Sequence, residues 1–362
     1  MKMKTVVLAL ALSLCMIRQA EAAMLPENVE DIVPQQAEAI VEDIMGNAAG
    51  VPELTEGLTR LWDKGRSLLG ETAKTSAGSM VAMLCVVLLC ALAEDCLQAA
   101  GNNRVINMVG IAGAVSITLI AAGNLDALIG LGVETMEELN VFSKALLPTL
   151  SAAVAAGGGV ISASVRQVAA VFFSDILISL IRQILLPLVY AHIAAAMAGS
   201  ILPEKRLQHV SRAISKGTTW VLSGVLVLYT GYLTLAGVAA GSADTLSVQV
   251  TRTAMNAVPV VGSIISDAAA TVLMGAATMK NTIGIVGMLS VLAVCLGPFL
   301  ELVVHYLLYK VTSFVAGMMG SSSLVELIDT LGGTFGLVLG MTGACALVLL
   351  ISIMTSVTVV MT

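Results

Sequence analysis

Seven apolar blocks, at about 77–93, 105–123, 145–164, 183–202, 217–240, 283–309 and 335–361, govern what this chain can become. Most approach or exceed the ~20 residues that a helix needs to cross a hydrocarbon layer ~30 Å thick. Inside such a layer the backbone finds no water, so a crossing segment is a helix or a strand of a closed barrel. Composition decides between the two. Aromatic residues make up 4% of the chain, and the blocks are rich in Ala, Gly and Ser. Small residues let helices approach closely, whereas barrels carry aromatic girdles. Charged residues are 12% of the chain, against about 25% in soluble domains. The expected fold is all-α: a polytopic helical membrane protein with about six to eight transmembrane helices.

Lys2 and Lys4 precede a short apolar run, Thr5–Ile17, and Ala20-Glu21-Ala22 follows it. That order is the pattern of a cleavable signal peptide over 1–22. It places the next segment, 23–76, outside the cytoplasm. This segment opens with acids, from Glu27 to Glu56, and carries short helix-like apolar repeats between Pro26, Pro34 and Pro52. An extracytoplasmic, amphipathic docking element is the expectation. Residues 77–362 are then the membrane domain. The cysteines at 85, 90, 96, 295 and 345 show no metal or redox spacing and are assigned to packing.

The most basic connection is PEKRLQHVSRAISK, at 203–216, which belongs on the cytoplasmic side. The stretch 124–144 carries Asp126, Glu134, Glu137 and Glu138 against Lys144 and reads as an external loop. From an external N-terminus, the basic connection reaches the cytoplasm only if one of the first four blocks does not cross. Block 145–164 is the one expected to stop short. An offset of 111 residues brings Pro148 onto Pro259 and Pro187 onto Pro298. It suggests a tandem repeat, with units at 77–165 and 188–276 followed by 283–361. Each unit would end in a small-residue segment that enters the membrane without crossing.

The second small-residue segment, VPVVGSIISDAAATVLMGAATMKNTIGIVG, starts at Val258. On a helix, Ser263, Asp267, Thr271, Gly275 and Thr278 fall on one polar stripe. With Lys280 and Asn281, this stripe supplies the candidates for lining or gating a path. Backbone near Gly284 and Gly287 can break from helix only where protein or water, not lipid, surrounds it.

No nucleotide-binding, zinc-protease or nucleophile-elbow motif occurs. No catalytic residue, cofactor, metal or nucleic-acid partner is expected. Glu301 and His305 lie one helical turn apart inside a block. They are either a proton relay or a pair that satisfies itself between packed helices. Asp175 and Arg182 read as an interfacial stretch. Gly237 with Gly241, and Gly336 with Gly340, have the small-x-x-x-small spacing of close helix contacts.

Pro259, Gly262 and Asp267, followed by KNTIGIVG at 280–287, resemble the stage III sporulation protein AE family of endospore-forming bacteria. The resemblance extends over most of the chain after the signal. It implies a non-enzymatic membrane subunit of the channel or secretion complex that joins mother cell and forespore after engulfment. Its place would be the mother-cell membrane around the forespore. Its partners would be a cytoplasmic ATPase, ring-forming and small membrane subunits, membrane lipid and other copies of itself. The residues alone leave a second reading open, a proton-coupled secondary transporter.

Overall fold

A computed structural model describes residues 54–99, 103–201, 205–256, 262–319 and 322–358. The expected signal peptide and most of the acidic segment therefore lie outside the described residues. Among the described residues the structure is helical, without a strand. Helix α1 runs over Leu54–Ala99, α2 over Asn103–Ala156, α3 over Val160–Leu180, α4 over Leu186–Ile201, α5 over Lys205–Asn256, α6 over Gly262–Gly317 and α7 over Ser322–Val357. A π-helical turn, Ile181–Leu185, joins α3 to α4. Pro187 follows it. Proline lacks an N–H and crowds the carbonyl four residues back, and a widened turn absorbs both defects.

Among the described residues six segments are long and apolar enough to cross a membrane: Gly57–Gln98, Met108–Ala156, Val160–Ile201, His209–Gly237, Met274–Gly317 and Ser323–Val357. The chain is an all-α, multi-pass membrane protein. Several helices outrun the hydrocarbon layer. At about 1.5 Å per residue, the 54 residues of α2 reach roughly 80 Å. The acids between 126 and 138 are thus carried on the helix itself. The stretch expected as an external loop, 124–144, is helical throughout. Block 145–164 is divided between the end of α2, a turn at 157–159 and the start of α3. Gly158 makes the turn with φ of 92°, where a Cβ would be strained. Helix α1 passes through 76–77 without a break.

Contacts along the helices fix their directions. Arg212 meets Glu326 and Tyr229 meets Ser352, so α5 runs parallel to α7. Gly113 faces Leu324 and Gly132 faces Val338, which makes α2 parallel to α7 as well. Gly284 and Gly287 meet Val357 and Ile353, while Gly332 meets Tyr309, so α6 is antiparallel to α7. The six spans alternate in direction. The end of α4, the start of α5 and the end of α6 consequently share one end of the bundle, and the turn 157–159 lies at the other.

Helix α7 is the centre. It packs against α2, α3, α4, α5 and α6, most extensively α6. Small residues let it in. A Cβ at Gly332 would stand 2.8 Å from the Tyr309 Cβ, and one at Gly336 would stand 3.3 Å from the Tyr306 ring. Starts of the helices also repeat at a fixed interval. Helices α2 and α5 begin at 103 and 205, and α3 and α6 at 160 and 262, an interval of 102 in each case. The 111-residue offset brings together Pro187 and Pro298, both within return helices, and pairs Pro148 inside α2 with Pro259, which lies outside the described residues.

Candidate functional site

Every member of the candidate stripe, from Ser263 to Asn281, lies on the first turns of α6. The side chains of Ser263, Asp267 and Thr271 fall outside those described. Of the rest, Gly275, Thr278 and Asn281 are exposed and Lys280 is buried. Ala276, Lys280, Gly284 and Gly287 share the inner face, spaced by four, four and three residues as a helix requires. The described part of the stripe therefore faces out of the bundle, and Lys280 faces in. No break occurs at Gly284 or Gly287. A Cβ there would stand 2.1 Å from Val357 Cγ2 and 2.7 Å from Leu146 Cδ2, respectively. These two glycines seat α6 against α7 and α2 in an unbroken helix.

Lys280 belongs to a polar cluster at the end of the bundle where α3 begins. Its charged neighbour is Arg166 on α3. The Arg166 guanidinium donates from Nη1 to the carbonyl of Thr355, in the last turns of α7. That carbonyl also accepts the Thr358 hydroxyl at 3.1 Å, and a cation there lies at the negative end of the helix dipole. Asp244 and Tyr229, both on α5, lie within electrostatic range of Arg166. Asp244 is buried and accepts the N–H groups of Ile161 and Ser162, each at 2.9 Å. It caps α3 from a different helix, because the cap position holds Gly159, which has no side chain. The Tyr229 hydroxyl contacts that of Ser352, which in turn donates to the Val348 carbonyl. Gly237, expected to pack helix against helix, makes room for Arg166 instead: a Cβ would stand 3.2 Å from its Nη2. The side of Gly241 is outside the described residues.

A second polar group lies where α1 meets α6. His305 is buried, and its Nδ1 donates to the backbone carbonyl of Glu301 at 2.8 Å. A carbonyl only accepts, so Nδ1 carries the proton. The ring's Nε2 lies 3.1 Å from Ser76 Oγ on α1, within hydrogen-bond reach. His305 thus meets Glu301 through the backbone carbonyl, not through the carboxylate. Phe335 of α7 covers the ring, with centroids 5.6 Å apart. His192 of α4 is held similarly, its Nδ1 lying 2.9 Å from the carbonyl of Ser211 on α5.

Ion pairs mark the outer surfaces. Lys144 pairs with Asp175 at 3.1 Å and Glu137 pairs with Arg182, so the interfacial acid and base on α3 and its π-helical turn are matched across to α2. At the opposite end, Arg212 pairs with Glu326 and Lys310 with Asp329, both onto α7. Gly340, the remaining packing candidate, faces Leu222 of α5. Cys90, Cys295 and Cys345 are buried as packing residues, while Cys85 and Cys96 are exposed. Among the described residues no group of His, Cys, Asp and Glu is placed to hold a metal ion.

Two cavities are small. One lies among α2, α3 and α7 beside Asn140 and Ser143 and measures about 10 Å³. The other lies among α4, α5 and α7 beside Ser211 and Thr330 and measures about 20 Å³. Neither exceeds room for a water molecule or two. Sequence reasoning missed Arg166, Asp244 and Tyr229. The available signal was a lone arginine inside VISASVRQVAAVFF, since an ionisable group in a span is a site candidate by default.

No solved structure matches the chain. Stage III sporulation protein AE of Bacillus subtilis strain 168 is 22% identical over 254 residues, which cover 70% of this chain and 62% of that protein. The match thus spans less than two thirds of that relative's length. The family described as stage III sporulation protein AE matches residues 41–360, nearly the whole chain and both polar clusters. The chain belongs to the stage III sporulation protein AE family.

Proposed function

We propose that this protein is a non-enzymatic membrane subunit of the complex that connects mother cell and forespore after engulfment. It would sit in the mother-cell membrane, with an ATPase, ring-forming subunits and small membrane subunits as partners. Family membership across residues 41–360 carries this reading. The outward-facing Gly275 and Thr278 on α6 are where another subunit would meet this one.

Orientation follows from the alternating spans. With residues 23–53 outside, three crossings bring the connection after α4, with Lys205 and Arg206, into the cytoplasm. The α6–α7 turn is on the same side, beside Lys310. That is the distribution expected of basic residues.

The test is depletion in sporulating cells combined with affinity purification from them. Expected are arrest after engulfment and recovery of the ATPase and ring subunits with the tagged chain. Proton-coupled solute uptake by the purified chain alone, in vesicles, would replace this reading with a transporter. Asp267→Cys in a cysteine-free background adds detail. Labelling by an impermeant maleimide from the external side, with loss of sporulation, is expected if the stripe meets the path. Protection from both sides with full sporulation would remove that role.

A further inference from the structure

The seam by which α5 joins the bundle differs in kind from the others. Its buried side chains are Ser211, Thr218, Leu222, Tyr229, Leu233, Ala240 and Asp244, spaced alternately by seven and four residues, which makes one strip along the helix. More than half of them are polar. Ser211 reaches His192 of α4, Tyr229 reaches Ser352 of α7, and Asp244 reaches the first amides of α3. Between membrane helices the hydrophobic effect supplies no driving force, so packing and polar contacts decide whether they stay together. The rest of α5 is little used: 17% of its apolar window is buried, the least of the six spans, and it barely touches α6.

Among the seam contacts, the one at Asp244 is the strongest in kind. It is charge-assisted, it is bidentate onto backbone, and it lies at the positive end of the α3 dipole. It also sits beside the Gly158 turn, which joins α2 to α3. Of the buried side-chain groups without a hydrogen-bond partner among the described residues, three lie along this seam, Thr218 Oγ1 on α5 with Arg166 Nε and Ser162 Oγ on α3, and a movement of α5 would open them to water.

Resting on the channel-subunit reading, we propose that α5 is the moving helix of this protein and that Asp244 is its latch. When the two bonds to Ile161 and Ser162 break, α5 swings out of the groove between α3 and α7. The groove it leaves is lined by Arg166, Ser352 and the Thr355 carbonyl, a polar strip that admits water. In the latched state Tyr229 plugs that strip, fully buried.

The test locks the latch. Ser162→Cys with Asp244→Cys, in the cysteine-free background, places two thiols across it. After oxidation in sporulating cells, spore formation should fall by about an order of magnitude or more and return when a reductant is added, as for a protein held in one of two needed states. Quantitative crosslinking with unchanged sporulation would overturn the proposal. A second measurement avoids the crosslink. Asp244→Asn keeps one acceptor and should raise the rate of maleimide labelling at Ser352→Cys several-fold at equal protein level, and an unchanged rate would overturn the latch. If sporulation proceeds without the chain at all, the channel reading itself fails. If depletion blocks sporulation while the locked protein works, only the latch fails.

Discussion

Helices α5 and α7 both carry apolar windows long enough to cross a membrane, yet they have opposite relations to the protein. In α7, 61% of the window is buried; in α5, 17%. Helix α7 is clamped by Leu324, Leu327, Leu331, Phe335 and Met341, all essentially inaccessible, with small residues between them. Helix α5 turns Trp220, Val227, Leu228 and Leu235 outward and keeps a half-polar strip inside. Hydropathy reports only that a segment prefers hydrocarbon to water. Whether the hydrocarbon is lipid or protein depends on shape, which small residues set in α7 and polar residues limit in α5.

The largest expected difference is therefore between Phe335→Ala and Trp220→Ala. Lipid is as apolar as a protein interior, so truncating Phe335 loses the cavity and contact terms and little transfer energy. A cost of about 2–4 kcal/mol is expected, toward the low end of buried Phe truncations. Trp220 is 79% exposed and lies two turns beyond Arg212, where aromatic side chains anchor a span at the interface. Its truncation should stay within ~0.5 kcal/mol. Unfolding in mixed micelles against rising denaturing detergent gives both values. Equal costs would mean that another part of the protein covers α5 in the full assembly's isolated chain.

A smaller effect is expected where the two helices touch. Tyr229→Phe removes the hydroxyl contact with Ser352, but Ser352 keeps its bond to the Val348 carbonyl, so nothing is orphaned. The cost should be about 1 kcal/mol. In the same variant, sporulation should persist and labelling at Ser352→Cys should rise modestly, because the ring still fills the groove. A loss above about 3 kcal/mol would show that the hydroxyl does more than close one contact.

How much of this was readable beforehand depended on the range of the interaction. The apolar blocks are local and were legible. The helix over 124–144 was legible in principle. Leu125, Leu128, Ile129, Met136, Leu139 and Phe142 are buried at helical spacing, and of the acids that suggested a loop Asp126, Glu134 and Glu137 occupy the outer face of the same turns while Glu138 is half-buried. Gly284 and Gly287 were read as places where a helix can break because glycine is a poor helix former. What they do depends on Val357 and Leu146, far away in sequence. The polar cluster was harder still. Asp244 and the amides it caps are 82 and 83 residues apart, and no periodicity within either helix announces the meeting. Lys280 was found from its motif, whereas Arg166 was passed over although it stands inside a span.

The smallest effect concerns the end of the bundle where α5 and α7 are tied by charge. Arg212 meets Glu326 at 2.6 Å, but the side chains are 63% and 32% exposed. Water and salt screen such a pair, and both long side chains lose freedom on forming it. Removing it with Arg212→Gln should cost no more than about 0.5 kcal/mol, and less in high salt. Exchanging the partners, Arg212→Glu with Glu326→Arg, should restore that small loss in micelles. Inside cells the exchange is not symmetric. It leaves the count of positive charges on the cytoplasmic side unchanged but moves one from α5 to α7, and orientation responds to where the Lys and Arg residues lie relative to each span. If the exchanged protein is stable in detergent yet fails in sporulating cells, the charge at 212 matters for inserting α5 and not for holding it. If both assays are restored, the pair is a weak tie, and the attachment of α5 rests on Tyr229 and Asp244.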